Sequence, residues 1–158
     1  MKTDIILCGV GGQGILSIAT VLGQAATASG LYLKQAEVHG MSQRGGDVQS
    51  NLRLSTERIW SDLIPKGQAD LIISMEPMEA LRYLPYLSSE GRVVTASKPL
   101  VNIPDYPDFS AVTAELEALP RVSMLDIEAV ARVFAPKGEA VVEADLLAFD
   151  LGLQAALK

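Results

Sequence analysis

Apolar runs with the length of β-strands recur along the chain and alternate with helical patterns. They predict strands at residues 4–8, 31–38, 47–54, 70–75, 91–95 and 121–125. Helical spacing of apolar residues follows the first, fourth and sixth of these runs. This alternation of strands and helices is typical of an α/β fold with a mainly parallel sheet.

The three predicted helices each have one apolar stripe and recognisable ends. Their ends are marked by Ser29 and Gly30 after the first, Pro77 and Pro85 around the second, and Asp126 and Pro136 around the third. The stripes consist of Ile15, Ile18, Ala19, Leu22 and Ala26 in the first helix, Ala80, Leu81 and Leu84 in the second, and Ile127, Val130, Ala131 and Phe134 in the third. We interpret these residues as core.

Polar and apolar residues alternate in two segments, 47–54 and 57–60, which indicates a strand with one wetter face and hence an antiparallel pairing. Residues 98–107 contain three prolines and are predicted to be an extended surface connection. The expected fold is therefore a Rossmann-like, doubly wound α/β domain, whose mostly parallel sheet carries an antiparallel edge or hairpin insertion. We expect one domain over residues 1–158.

A glycine-rich turn, Gly9 to Gly14, follows the first predicted strand and opens the first helix. In doubly wound folds such a turn presents backbone N–H groups to a phosphate. Gly9, Gly11, Gly12, Gln13 and Gly14 are therefore candidate cofactor-binding residues. The alternative is that the glycines serve only the packing of helix on strand.

Composition narrows the function classes. The chain has 158 residues and a formal net charge of −6, which argues against general nucleic-acid binding. Cys8 is the only cysteine, so the chain alone cannot hold an iron–sulfur cluster through four thiolates. We expect Cys8 to be a small buried hydrophobe. The early acidic residue and glycines are unlike a signal peptide, no apolar run reaches membrane-spanning length, and we expect a cytoplasmic protein.

A second polar segment, residues 37–47, follows the second predicted strand. We expect this strand to lie next to the first one, which would place the segment beside the glycine turn. Its candidate roles are Glu37 as a ribose acceptor, Arg44 as a bidentate donor to an anion, and Ser42, Gly45 and Gly46 as neutral donors. Gln43 lies in the same loop. His39 is the only histidine and lacks partners at ligand spacing, so no metal site is predicted.

The segments 9–16 (Gly-Val-Gly-Gly-Gln-Gly-Ile-Leu) and 37–46 (Glu-Val-His-Gly-Met-Ser-Gln-Arg-Gly-Gly) together resemble the gamma subunit of 2-oxoacid:ferredoxin oxidoreductases. The small subunit of indolepyruvate oxidoreductase is the most similar branch. The resemblance implies a complex that oxidatively decarboxylates a 2-oxoacid with coenzyme A and passes electrons to ferredoxin. Thiamine diphosphate and iron–sulfur clusters would belong to thiamine-binding and ferredoxin-like partner subunits. This chain would then be non-catalytic, with its loop His39–Gly46 near the shared active site or the approach of coenzyme A.

Two other functions are compatible with the residues. One is a small nucleotide-dependent oxidoreductase that uses Glu37 and Arg44, although the chain lacks a convincing acid, base or nucleophile set. The other is a stand-alone binding protein for coenzyme A or a nucleotide. Away from its partner subunits, the chain could form a homodimer. A complex subunit should expose an apolar patch, for which the candidates are Met41, Trp60, Leu63 and Ile64. Trp60 closing the edge of the core is the alternative.

Overall fold

A computed structural model of the chain describes residues 1–39, 45–101 and 103–126. In chain order the elements are β1 (Lys2–Val10), α1 (Ile15–Ala28), β2 (Tyr32–His39), β3 (Asp47–Ser55), β4 (Ala69–Ser74), α2 (Pro77–Tyr83), a 3₁₀ turn (Leu84–Tyr86), β5 (Leu87–Ala96), α3 (Phe109–Glu117) and β6 (Val122–Leu125). The predicted α/β class is confirmed.

The strands form one sheet in the order β2-β3-β1-β4-β5-β6. The pairs β1–β4, β4–β5 and β5–β6 are parallel, whereas β3 runs antiparallel to both β1 and β2. The mostly parallel sheet with a hairpin insertion is therefore confirmed. The expectation that β2 lies next to β1 is wrong, because β3 folds back from β2 and takes that place.

The core lies on both faces of the sheet because side chains alternate along each strand. One face packs against α1 through Ile5, Leu7, Ile15, Leu22 and Leu52. The other face packs against α2 and α3 through Ile6, Ile72, Val93, Val112 and Leu116. Strand β1 is covered on both sides, which explains its continuous apolar run.

The first two predicted helices are confirmed, but α3 is absent from the sequence prediction. Its N-cap is Asp108, whose Oδ1 accepts a hydrogen bond from the Ser110 amide at 2.9 Å. Only Val112 and Leu116 are buried, so the apolar stripe is too short to stand out. Apart from the cap Asp126, the third predicted helix lies outside the described residues.

Strand β3 differs from the expectation of a wetter face, because both of its faces are buried. The segment that follows it, residues 56–68, is not a strand and lies over its polar side. Arg53 on that side donates to Asp4 of β1 at 2.8 and 3.0 Å. Asn51 Oδ1 accepts from the Ile64 amide at 3.3 Å. Arg53 and Asn51 are thus buried and hydrogen-bonded instead of hydrated.

Candidate functional site

The turn between β1 and α1 has the backbone that its glycines predict. Gly14 is the N-cap of α1 with φ 83°, and Gly12 has φ 104°, values that favour glycine. A Cβ on Gly9 would lie 2.8 Å from Gln13 Oε1 and 3.1 Å from Met75 Cβ, so this glycine permits close packing. Among the residues that the structure describes, no side chain caps α1 with a hydrogen bond. The turn therefore presents the positive end of a helix at the carboxyl edge of the sheet.

Gln13 lies between the carboxyl ends of β1 and β4. Its Oε1 accepts from the Val10 amide at 2.8 Å, and its Nε2 donates to the Met75 carbonyl at 2.9 Å. The chain leaves β1 toward β2 and leaves β4 toward β5, which makes this the point where a doubly wound sheet commonly binds a ligand. Here the Gln13 amide bridges that crevice.

The two glycine-rich segments meet directly. The Gly11 amide donates to the Gly46 carbonyl at 2.8 Å, and the Gly45 amide donates to the Gly11 carbonyl at 3.4 Å. The β3 ladder continues this contact by pairing Val10 with Asp47. The contact comes from the second end of the polar loop, which enters β3, and not from the end that leaves β2.

A cavity of about 390 Å³ opens beside this contact. The glycine turn, Ile15, Leu16 and Val48 line it. Its walls are therefore backbone on one side and aliphatic side chains on the other. Such a lining suits the apolar part of a ligand or an apolar side chain more than it suits a charged group.

The remaining predicted site residues are less concentrated. Glu37 lies on the edge strand β2, is exposed, and accepts a hydrogen bond from Gln35 Nε2 at 2.7 Å. With β3 intervening, Glu37 lies about 10 Å to the side of β1, from the usual spacing of two strands. His39 ends β2, where its backbone pairs with Val48. The three side chains proposed from the middle of the loop, Ser42, Gln43 and Arg44, lie outside the described residues.

A cluster of carboxyl and phenol groups lies behind the paired glycines and was not found from the sequence. Tyr83 Oη donates to Asp47 Oδ2 at 2.6 Å, and Tyr106 Oη donates to Glu76 Oε1 at 2.5 Å. Glu79 is 3% exposed and accepts from Arg82 Nε at 2.7 Å. Glu76, Glu79, Arg82 and Tyr83 belong to α2 and its N-cap, whereas Asp47 begins β3 and Tyr106 precedes α3. Spacing in the sequence places the first four on one helix, but it does not reveal that Asp47 and Tyr106 meet them.

Burial raises the pKa of two groups in and beside this cluster, Glu79 and Cys8. Burial raises the pKa of Glu79, the hydrogen bond and charge of Arg82 lower it, and the nearby Asp47 carboxylate raises it, so that the pKa stays above its ordinary value. Burial also raises the pKa of the Cys8 thiol to about 12. At neutral pH Cys8 is a protonated, buried thiol, as the sequence predicts.

Comparison with known proteins identifies the family. The family described as pyruvate ferredoxin/flavodoxin oxidoreductase matches residues 4–135. The chain belongs to this family. Indolepyruvate oxidoreductase subunit IorB of Thermococcus kodakarensis is 47% identical over 97 residues, which are 61% of this chain and 48% of that protein. 2-Oxoglutarate synthase subunit KorC of Methanothermobacter marburgensis is 33% identical over 96 residues, 60% of this chain and 50% of that protein. The chain therefore spans about half the length of these relatives.

The fold is shared with gamma subunits of this family. The gamma subunit of keto/oxoacid ferredoxin oxidoreductase from Geobacter sulfurreducens matches with a TM-score of 0.55 at 20% identity, over 99% of this chain and 97% of that one. At this identity the likeness concerns the fold alone. The resemblance to the small subunits of 2-oxoacid:ferredoxin oxidoreductases, seen first in the two glycine-rich segments, is thereby confirmed.

The predicted apolar patch is corrected in part. The side chains of Trp60 and Leu63 are 80% and 56% exposed, so Trp60 does not close the core. Ile64 is 3% exposed and belongs to the core, which removes it from the patch. Met41 lies outside the described residues. The family member thus presents an indole and an isobutyl group to solvent at the end of the sheet opposite the glycine turn.

Neither a membrane-spanning helix nor a metal-binding cluster is present in the described ranges. None of the helices there has the length and apolar character needed to cross a bilayer. No group of three or more His, Cys, Asp or Glu side chains there could hold a metal ion.

Proposed function

We propose that this family member is a non-catalytic, gamma-type subunit of a multisubunit 2-oxoacid:ferredoxin oxidoreductase in the cytoplasm. The complex would oxidatively decarboxylate a 2-oxoacid to an acyl-coenzyme A, with ferredoxin as its electron acceptor. The observation that carries the proposal is the direct pairing of Gly11 with Gly45 and Gly46. It joins the two segments whose combination resembles the gamma subunits.

The geometry of the turn supports a subunit more than a nucleotide enzyme. The crevice in which a doubly wound sheet commonly binds its ligand is bridged by the side chain of Gln13. Glu37 lies two strands from β1 instead of beside the glycine turn. A dinucleotide would need both the crevice and an acidic group near its ribose. The glycine turn instead supports the end of the polar loop, for which we propose a place near the active site or the coenzyme A path.

The cofactors of the proposed complex are assigned to other subunits. The chain has one cysteine, which is fully buried, so it does not fit an iron–sulfur cluster. We propose that thiamine-binding and ferredoxin-like subunits hold the thiamine diphosphate and the clusters. Indolepyruvate is the first substrate to test, because IorB is among the relatives, and 2-oxoglutarate is the second because of KorC.

The test is affinity purification of the full chain at native level under anaerobic conditions. Co-purifying proteins are identified, and dye reduction is measured with a panel of 2-oxoacids and coenzyme A. Recovery of a thiamine- and cluster-bearing partner with 2-oxoacid-dependent activity supports the proposal, and the panel names the acid. Recovery of the chain alone, without activity, contradicts it.

A stand-alone binder of coenzyme A or a nucleotide is the second candidate. It is favoured by the uncapped start of α1 and the cavity of about 390 Å³ beside it. Titration of the isolated chain with NAD, NADP and coenzyme A distinguishes the two. Tight binding of a nicotinamide nucleotide would count against the subunit, for which we expect weak or no binding.

A further inference from the structure

The paired glycines depend on where β3 begins, and Asp47 is its first residue. The amide of Gly11 donates to the carbonyl of Gly46, the residue just before Asp47. Asp47 itself pairs with Val10 across the ladder. A shift of Asp47 would therefore separate the two glycine segments.

Asp47 is tied to α2 by the phenol of Tyr83, and the carboxyl group of Glu79 on the same helix lies next to it. Tyr83 Oη donates to Asp47 Oδ2 at 2.6 Å, although the two residues are 36 positions apart. Tyr83 is 6% exposed and belongs to the core cluster on the α2 and α3 face. Its ring also packs against Tyr86, with centroids 6.1 Å apart. The donor is thus fixed by packing, while the acceptor lies on an exposed residue.

We infer that Tyr83 is a positioning residue that holds the start of β3 against the glycine turn through Asp47. A further carboxyl group near Asp47 makes the phenol O–H donor important. Glu79, whose carboxylate accepts from Arg82 on one side, lies close enough to interact with Asp47 on the other. Without the phenol O–H, the two carboxyl groups would face each other with one donor fewer, which favours withdrawal of Asp47.

The test is amide hydrogen exchange in the isotope-labelled full chain, with the rate of each amide measured by NMR. Tyr83→Phe removes only the hydroxyl. We expect exchange of the Gly11 amide to accelerate roughly tenfold to hundredfold, the usual effect of losing a hydrogen bond to a charged group. The Ile18 amide, which donates to Gly14 within α1, should keep its rate. Asp47→Ala should reproduce the effect, and Asp47→Asn, which retains an oxygen acceptor, should largely restore protection.

Tyr106→Phe is the matched control. Its hydroxyl donates to Glu76 at 2.5 Å, so the same kind of bond is lost, but Glu76 caps α2 and does not belong to β3. We expect Gly11 exchange to be unchanged in this variant. The inference is overturned if Tyr83→Phe leaves the Gly11 rate unchanged. It is also overturned if Gly11 and Ile18 accelerate together, since the effect would then be general destabilisation.

The consequence for activity rests on the proposed function. If the glycine segments border the active site of a complex, Tyr83→Phe should lower turnover of the purified complex while leaving its subunit composition unchanged. The exchange experiment needs no partner. A failure there would overturn the positioning role alone, whereas failure of the chain to co-purify with partners would contradict only the proposed function.

Discussion

The guanidinium group of Arg53 connects three parts of the chain beneath the sheet. Its Nε and one terminal nitrogen donate to the two carboxylate oxygens of Asp4, at 2.8 and 3.0 Å. The other terminal nitrogen donates to the carbonyls of Ser61 and Leu63, at 3.1 and 2.9 Å. The side chains of Arg53 and Asp4 are only 10% and 1% exposed. Arg53→Met is therefore expected to destabilise the fold strongly.

The magnitude follows from what the substitution leaves behind. Removing one partner of a buried ion pair costs about 3–5 kcal/mol, because the other charge stays buried. Asp4 keeps Lys2 at 2.9 Å, whose side chain is 54% exposed, so the lower end of that range applies. A loss of about 3 kcal/mol in the free energy of unfolding corresponds to a fall in Tm of about 6–12 °C for a chain of this size.

The assay is urea unfolding, monitored by circular dichroism. Arg58→Met is the matched control, since Arg58 is exposed and stacks over the Trp60 ring at 4.3 Å. Its loss should cost less than about 1 kcal/mol. The double variant with Asp4→Leu and Arg53→Met removes both charges and should recover much of the stability lost in Arg53→Met. Equal costs for Arg53→Met and Arg58→Met, or no recovery in the double variant, would refute the reasoning.

The same pair predicts a pH dependence. Burial alone would raise the pKa of Asp4, but its hydrogen bonds and ion pairs with Arg53 and Lys2 outweigh burial and leave the pKa lowered. A lowered pKa contributes stability above the unfolded value of about 3.9, and this stability is lost as the pH falls through the folded pKa. The stability difference between the native chain and Arg53→Met should therefore shrink below that pH. A difference that stays constant from neutral pH into this acid range would contradict the argument.

Three further predictions concern the candidate site. Gln13→Ala removes the hydrogen-bond partners of the Val10 amide and the Met75 carbonyl, so it should lower the free energy of unfolding by about 1–3 kcal/mol. In the same urea assay, the control Gln24→Ala should change this free energy by less than about 0.5 kcal/mol, because Gln24 is exposed. Cys8, with its pKa raised to about 12, should resist alkylation at pH 8 until the chain unfolds; rapid labelling of the native chain, measured by mass spectrometry, would contradict its burial. Arg44→Ala should preserve the Tm and lower the 2-oxoacid-dependent activity of the complex. The control Arg121→Ala, just before β6 at the other edge of the sheet from β2, should leave that activity unchanged. Equal activities of the two variants would remove Arg44 from the site.

Local patterns in the sequence predicted much of the scaffold. The apolar run of β1 has to be buried on both faces, and Pro77 and Pro85 bracket α2 because proline suits a helix start and cannot continue a helix. The glycine turn and the family were also visible, since both depend on residues close together in the chain. The stripe of α3 was missed because only Val112 and Leu116 mark it.

The sequence by itself determined which apolar faces of β1, α1 and α2 leave water, whereas the tertiary structure decided what those faces meet and which polar side chains are buried with them. Periodicity in β3 revealed alternating faces, but the burial of Arg53 depends on Asp4, 49 positions away, which neutralises its charge. The insertion of β3 between β2 and β1 likewise separated Glu37 from the glycine turn and brought Gly46 to it. Tyr83 reaches Asp47 across 36 positions for the same reason. Periodicity indicates which side of a single helix or strand is apolar. The hydrogen-bond and charge partners of a side chain depend instead on the order of the strands within the sheet.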